Sequence, residues 1–187
     1  DTNLENPNRN SYKRVVTGAV RAVDFIASLP QWNGKTIGVT GSSQGGFLSL
    51  AVAALDKRIT FLAPVHDAMC DYEAEIHGVA GGWPHYFYKE NQVLGAAWKE
   101  QKLTELEKMR LEGARYYDGA NFARRITCPG WYSFGYNDEV VPPTSSYGLY
   151  NSVKAPKTLS LYQMTGHFWY QEQWDEWQAW IVQQLTK

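Results

Sequence analysis

The sequence contains little cysteine. Only Cys70 and Cys128 occur among 187 residues, and they stand far apart. Neither has the spacing of a metal-binding motif, and one pair is too few to define a disulfide framework. We therefore expect both to be buried free thiols that pack as small apolar side chains.

The chain also lacks an excess of charge and a long apolar run. Its 18 Lys and Arg nearly balance 19 Asp and Glu, for a net charge of −1. A nucleic-acid surface needs a clustered basic excess, and a membrane span needs about 20 consecutive apolar residues. The polar, Asn-rich start does not resemble a signal peptide. We expect no nucleic acid or membrane as partner, and both a cytoplasmic and a secreted or periplasmic location stay open.

Hydrophobic residues make up 44% of the chain, enough for one packed domain. Strand-like runs alternate with helix-like runs, which predicts an α/β fold with a mostly parallel sheet flanked by helices. The strand at 35–40 should be buried on both faces, and the one at 157–162 should be half-buried or at an edge. Between them, residues 67–122 break the alternation, and we interpret them as an insertion or lid containing a polar helix at about 96–112. The remaining predicted elements are helices at 12–29, 47–55, 142–150 and 171–185 and strands at 60–65 and 126–135.

A G-x-S-x-G motif stands between a predicted strand and a predicted helix, at Gly41–Gly45. Such a sharp turn strains the backbone at its centre and requires small neighbours, here Gly41, Gly45 and Gly46. It lifts the Ser43 hydroxyl above the sheet at a helix N-terminus, where developing negative charge is favoured. We therefore predict Ser43 as a nucleophile and the N–H of Gln44 as an oxyanion donor.

A serine nucleophile needs a base, and the base needs an acid to orient it. His167 follows the last predicted strand, the position that a base occupies when the chain order is Ser, acid, His. Asp138 follows the strand before it and is the predicted acid. Glu139 and Asp67 remain alternatives for that role.

Other polar and aromatic residues cluster between the second and third predicted strands. His66, Asp67, Asp71, Glu73, His77 and His85 match no metal-ligand spacing, so we predict structural roles for them and neither a metal nor a cofactor. The aromatic run of Trp83, His85, Tyr86 and Phe87 could line a substrate pocket or pack the lid.

Three segments, IGVTGSSQGG, YNDEVVPP and TGH, occur in an order that resembles the acetyl xylan esterase / cephalosporin C deacetylase family of carbohydrate esterases. The similarity extends to YKRVVTGAVRAVDFIASLP and FARRITCP. It implies the C-terminal portion of an α/β-hydrolase fold that removes acetyl groups from xylan fragments and other small acetyl esters. It also implies a triad of Ser43, Asp138 and His167, with Gln44 as oxyanion donor.

The resemblance implies further properties. Family members often form ring-like hexamers, so we expect a homo-oligomer. The family's N-terminal strands and the loop with its second oxyanion donor are absent from this chain, and we expect activity to need that segment. Phe168 departs from the Glu that usually follows the family's catalytic His.

Two other functions remain open from the residues. One is a serine peptidase of the prolyl-oligopeptidase type, which shares this strand order. The other is a non-catalytic, hydrolase-like module that binds carbohydrate through its tryptophans.

Overall fold

The structure is a computed structural model that describes residues 3–88 and 102–187. Its four strands are β1 (Gly38–Ser42), β2 (Phe61–Val65), β3 (Gly130–Gly135) and β4 (Lys157–Tyr162). Its α-helices are α1 (Ser11–Ser28), α2 (Gln44–Leu55), α3 (Glu105–Arg115), α4 (Gly119–Ala123), α5 (Pro143–Ser152) and α6 (Gln171–Leu185), and a short 3₁₀ helix spans Ala74–His77.

The strands form one parallel sheet in the order β1-β2-β3-β4, as predicted. Strand β4 is at one edge and half-buried, which confirms that prediction. The expectation that the first strand is buried on both faces is wrong. Within the described residues β1 pairs only with β2, so Gly38 and Thr40 are exposed.

Side-chain caps explain where several elements begin. Helix α1 starts at Ser11 because the Asn10 side chain accepts a hydrogen bond from the Tyr12 N–H at 2.9 Å. The first strand begins later than predicted because the Asn33 carboxamide accepts from Lys35 and Thr36, which holds these residues in a turn.

The predicted lid helix at 96–112 is placed differently. Residues 96–101 lie outside the described part of the chain. Helix α3 begins at Glu105 because Thr104 and Glu107 form a reciprocal capping box. Of the apolar residues in this helix, Leu106 and Met109 are exposed, whereas Leu111 is buried.

Buried apolar side chains lie on both faces of the sheet. Helix α2 is buried nearly all round, as its composition predicted. On the opposite face, Trp177 and Ile181 of α6 pack against Ala63, Val65 and Trp131. The spacing of Trp174, Trp177, Ile181 and Leu185 predicts one apolar stripe on this helix. The prediction is correct only at the centre of the stripe, because Trp174 and Leu185 at its ends are 39% and 57% exposed.

Both cysteines are free and buried, as expected. Among the described residues, no helix combines the length and apolar character needed to cross a bilayer.

Candidate active site

The carboxyl ends of the four parallel strands meet at one edge of the sheet. Register pairs Ser42 with Val65, Val65 with Ser133, and Gly135 with Tyr162. Ser43, His66, Asp138 and His167 follow β1, β2, β3 and β4 in turn. Ligands of open α/β sheets bind at this edge, so the predicted residues follow strands at the edge where chemistry is expected.

Ser43 occupies the sharp bend between β1 and α2. Its backbone has φ 57° and ψ −120°, a strained conformation for a residue with a side chain. The Ser43 N–H donates to the Val65 carbonyl at 2.9 Å, and its own carbonyl accepts from the Ala68 N–H at 3.1 Å. These bonds fix the bend against the neighbouring strand and leave the Ser43 side chain half-buried.

The glycines of the motif are not equivalent. A Cβ on Gly41 would lie 2.4 Å from the Gly45 carbonyl carbon, and one on Gly46 would lie 2.9 Å from Asp67 Oδ1. Gly45 has open space at its Cβ position within the described structure. The predicted need for a small residue therefore applies to Gly41 and Gly46. At Gly45 the backbone, and not the Cβ position, makes the close approach, to Gly41.

Gln44 is the first residue of α2, so its N–H has no helical carbonyl four residues earlier. Its side chain donates from Nε2 to the Tyr12 hydroxyl at 2.7 Å, which ties the start of α2 to α1. An N–H without a helical acceptor at this position is the oxyanion donor that the sequence predicts.

The Asp138 carboxylate is fully buried and well satisfied. Oδ1 accepts hydrogen bonds from the Val140 and Val141 N–H groups at 2.9 and 2.8 Å. Oδ2 lies 2.8 Å from His167 Nδ1. Burial by itself would raise the pKa of Asp138, but the hydrogen bond from His167, the nearby His66 ring and the Val141 N–H outweigh it and hold the pKa well below the usual range.

His167 lies at the surface side of this pair, with its side chain 24% exposed. Because Nδ1 faces the Asp138 carboxylate, the Nδ1–H tautomer is favoured and Nε2 keeps its lone pair. This tautomer can accept a proton from a nucleophile.

Neither alternative acid contacts His167. Glu139 is exposed and faces a cavity of about 240 Å³ beside the insertion. Asp67 is buried behind the bend, where its Oδ1 has no hydrogen-bond partner among the described residues. Without charged or donor neighbours to compensate, burial raises the pKa of Asp67 to about 7.

Polar residues between β2 and α3 pair with one another. His85 Nδ1 lies 2.7 Å from Glu75 Oε1, and His77 Nε2 lies 3.8 Å from Glu73 Oε1. A different set converges at the strand ends: the ligand-type atoms of His66, Asp138 and His167 all lie within 4.8 Å of one another.

The aromatic run divides between the two roles left open for it. Trp83, Tyr86 and Phe87 belong to an apolar cluster that also contains side chains of α1 and α2. His85 instead borders the cavity next to Glu139, together with Glu75 and Tyr88. Phe168 is 52% exposed and packs edge-on against Tyr170.

Sequence reasoning did not single out His66 as part of this site. Its imidazole is 1% exposed, and Nδ1 lies 3.3 Å from Asp138 Oδ2. The available signal was its position directly after β2, which matches that of Ser43 directly after β1.

A parallel sheet with a strained serine bend after one strand and an Asp–His pair after two others is the arrangement of α/β-hydrolases. The family model of acetyl xylan esterase (AXE1) matches residues 2–184. The chain belongs to this family.

Individual relatives agree with this assignment. The acetyl esterase Axe7A of Xylanibacter ruminicola is 40% identical over 162 residues, which are 86% of this chain and 34% of that protein. The solved acetyl xylan esterase from Paenibacillus sp. R4 is 27% identical with a TM-score of 0.80, over 96% of this chain and 55% of that one. Acetyl xylan esterase 1 from Thermoanaerobacterium sp. shares the fold, at 22% identity and a TM-score of 0.78 over the same shares of the two chains. The chain thus spans about a third to about half of the length of these relatives.

Proposed function

We propose that this chain carries the triad of a serine esterase that removes acetyl groups from acetylated xylan, xylo-oligosaccharides and other small acetyl esters. The observation that carries the proposal is the 2.8 Å contact between His167 Nδ1 and Asp138 Oδ2. It lies at the sheet edge that also bears the strained Ser43 bend. Family membership makes acetyl-ester hydrolysis the favoured reaction of such a triad.

Acylation begins when Ser43 Oγ attacks the acetyl carbonyl carbon and His167 Nε2 takes the hydroxyl proton. The negative charge moves to the carbonyl oxygen, where the Gln44 N–H stabilises it. Asp138 stabilises the imidazolium without taking its proton. His167 then protonates the sugar oxygen as the C–O bond breaks, which leaves acetyl-Ser43.

Deacylation repeats these steps with water. His167 removes a proton from the water as its oxygen attacks the acetyl carbonyl, and a second oxyanion forms. When this intermediate collapses, the proton returns to Ser43 Oγ and acetate leaves. The net reaction consumes one ester and one water and releases an alcohol and acetic acid.

The substrate class follows from the relatives and from the surface beside the triad. Two matching proteins are named as acetyl xylan esterases and a third as an acetyl esterase. The cavity of about 240 Å³ next to the Asp138 loop is bordered by Glu75, Glu139 and Tyr88. The exposed Glu139 carboxylate can accept from hydroxyls and the exposed Tyr88 ring can pack against a sugar face, which suits an acetylated saccharide.

The test is covalent labelling and turnover with the natural protein that contains this chain. We expect a fluorophosphonate to attach to Ser43, and we expect p-nitrophenyl acetate and acetylated xylo-oligosaccharides to release acetate. The matched control is Ser43→Ala, which should lose both labelling and turnover. Labelling at another serine, or none, would contradict the proposal.

The same assay separates the other two functions. A prolyl amide cleaved faster than p-nitrophenyl acetate would indicate a peptidase, and carbohydrate binding without labelling would indicate a binding module. Assembly as a homo-oligomer stays a prediction, which light scattering of the natural protein tests.

A further inference from the structure

We propose that His66 is a positioning residue for the reaction, a second imidazole that donates from Nδ1 to Asp138 Oδ2 beside His167. In this arrangement His66 holds the carboxylate in place and moderates the basicity that Asp138 confers on His167. The inference rests on the proposed function, because it assigns His66 a role through the proposed acid and base.

Backbone geometry directs His66 into the site. The residue follows β2 and has φ 50°, in the left-handed region that residues with a side chain disfavour. Its N–H donates to the Ser133 carbonyl at 2.9 Å, which continues the pairing of β2 with β3. Since Asp138 follows β3, the strained backbone keeps the His66 ring against the acid from the adjacent strand end.

The His66 ring is also confined by its neighbours. Its centroid lies 5.4 Å from that of His167 and 6.5 Å from that of Trp169, which meets it edge-on at 83°. Only 1% of the side chain is exposed, so water cannot replace Asp138 as a partner of the ring. A buried polar ring of this kind needs a partner. The nearest carboxylate oxygen is Asp138 Oδ2, 3.3 Å from Nδ1.

The surroundings favour one protonation state. Within the described residues neither His66 nitrogen has a well-aligned hydrogen bond, and Nε2 lies near no acceptor that satisfies it. An imidazolium would bury an unsatisfied Nε2–H, which costs more than leaving a lone pair unpaired. The neutral Nδ1–H tautomer therefore fits, and the titratable groups in contact with it are Asp138 and His167.

Two consequences follow for Asp138. Two donors share Oδ2. The negative charge of Asp138 therefore stabilises the His167 imidazolium less than it would if His167 were the only donor. Loss of His66 should therefore raise the pH at which His167 takes up its proton. Loss of the donor should also loosen Asp138 and slow the chemical step without weakening substrate binding.

The experiment compares His66→Asn, His66→Gln and His66→Gly in the natural protein. Asn places its amide donor near the position of Nδ1 and tolerates the left-handed backbone. Gln places its donor nearer the position of Nε2. Gly relieves the backbone but has no donor, so it is the matched control for Asn.

With p-nitrophenyl acetate we expect His66→Gln and His66→Gly to lower kcat by about tenfold and to leave KM within about twofold. In both variants the acidic limb of the pH profile of kcat/KM should shift to higher pH by roughly half a unit. His66→Asn should recover most of kcat and keep the limb in place. The proposal would be overturned if the acidic limb did not shift in His66→Gln and His66→Gly. It would also be overturned if His66→Gly had the same kcat and pH profile as His66→Asn.

A measurement without substrate separates this inference from the proposed function. The His167 Nδ1 proton, hydrogen-bonded to Asp138, is observable as a downfield NMR resonance, and we expect it to shift in His66→Gln and His66→Gly but not in His66→Asn. If the natural protein hydrolyses no acetyl ester, the proposed function fails, and this resonance still decides the role of His66. An identical resonance in all the variants would overturn that role.

Discussion

His167 Nδ1 lies 2.8 Å from Asp138 Oδ2, and the two side chains differ sharply in exposure: 24% for His167 and none for Asp138. The carboxylate is thus shielded while the imidazole reaches the surface. A buried acid strengthens the electrostatic interaction within the pair, and an accessible base can meet a substrate. This division of burial is the basis for the first prediction.

Asp138→Asn should lower kcat for p-nitrophenyl acetate by about 10³- to 10⁴-fold, with a small change in KM. The amide keeps the shape but loses the negative charge. Its oxygen stays on the Val140 and Val141 N–H groups, so its NH2 group faces His167 and selects the wrong tautomer. Glu139→Gln is the matched control, since Glu139 is exposed and His167 Nδ1 donates to Asp138. If Glu139→Gln is the more damaging change, the acid has been assigned to the wrong residue.

Gly41→Ala should reduce fluorophosphonate labelling of Ser43 by at least about 100-fold. Its Cβ would lie 2.4 Å from the Gly45 carbonyl carbon, so the bend must open and Ser43 must move. Gly45→Ala is the comparison, because nothing within the described structure lies within 4 Å of the new methyl group. Equal labelling of the two variants would show that the bend does not depend on this close approach.

Much of this site was predictable because the chemistry follows local patterns. The bend at Ser43 needs only a strand, small residues and a helix, and all three are visible in one short segment. Chain order then pointed to Asp138 and His167 as the residues after the last two strands. Their contact in the structure is consistent with that order.

What could not be predicted depends on contacts between distant parts of the chain. The meeting of His66 with Asp138 requires β2 to lie beside β3 and a left-handed backbone after β2, and composition reports neither. Whether β1 is buried likewise depends on contacts beyond the local run. An apolar run shows that a strand can be buried, but the number of neighbouring strands decides whether it is.

Glu75→Gln should destabilise the segment that follows Gly81. The Glu75 side chain is 2% exposed and accepts from the Phe87 N–H at 2.8 Å while contacting His85 Nδ1 at 2.7 Å. Loss of its charge weakens both contacts, by about 1–2 kcal/mol in all. Faster amide exchange at residues 85–88, measured by mass spectrometry, checks this.

Glu73→Gln is the comparison for that measurement. Glu73 pairs with Arg115 at 2.8 and 2.9 Å, but both side chains are more than 40% exposed. Exposed pairs contribute at most about 1 kcal/mol, so exchange at 85–88 should change little. Equal acceleration in both variants would mean that net charge, and not the buried carboxylate, controls this segment.

Asp67→Asn should stabilise the protein progressively as the pH rises. In the native state burial raises the pKa of Asp67 to about 7, whereas an unfolded Asp ionises near pH 3.9. Between these two pH values Asp67 is protonated in the native state and ionised in the unfolded state. The free energy of unfolding of the natural protein therefore decreases by roughly 1.4 kcal/mol for each unit by which the pH rises. Asn has no proton to lose, so from pH 5 to pH 7 its advantage should grow by roughly 2–3 kcal/mol.

Unfolding midpoints at pH 5 and pH 7 measure this difference, and Asp56→Asn is its control. A hydrogen bond from the Arg58 side chain lowers the pKa of Asp56, so this carboxylate is ionised in both states across the window. Its replacement should therefore destabilise the protein by the same amount at both pH values. If the effect of Asp67→Asn is also independent of pH, Asp67 is ionised in the native protein, and a partner for its Oδ1 must lie outside residues 3–88 and 102–187.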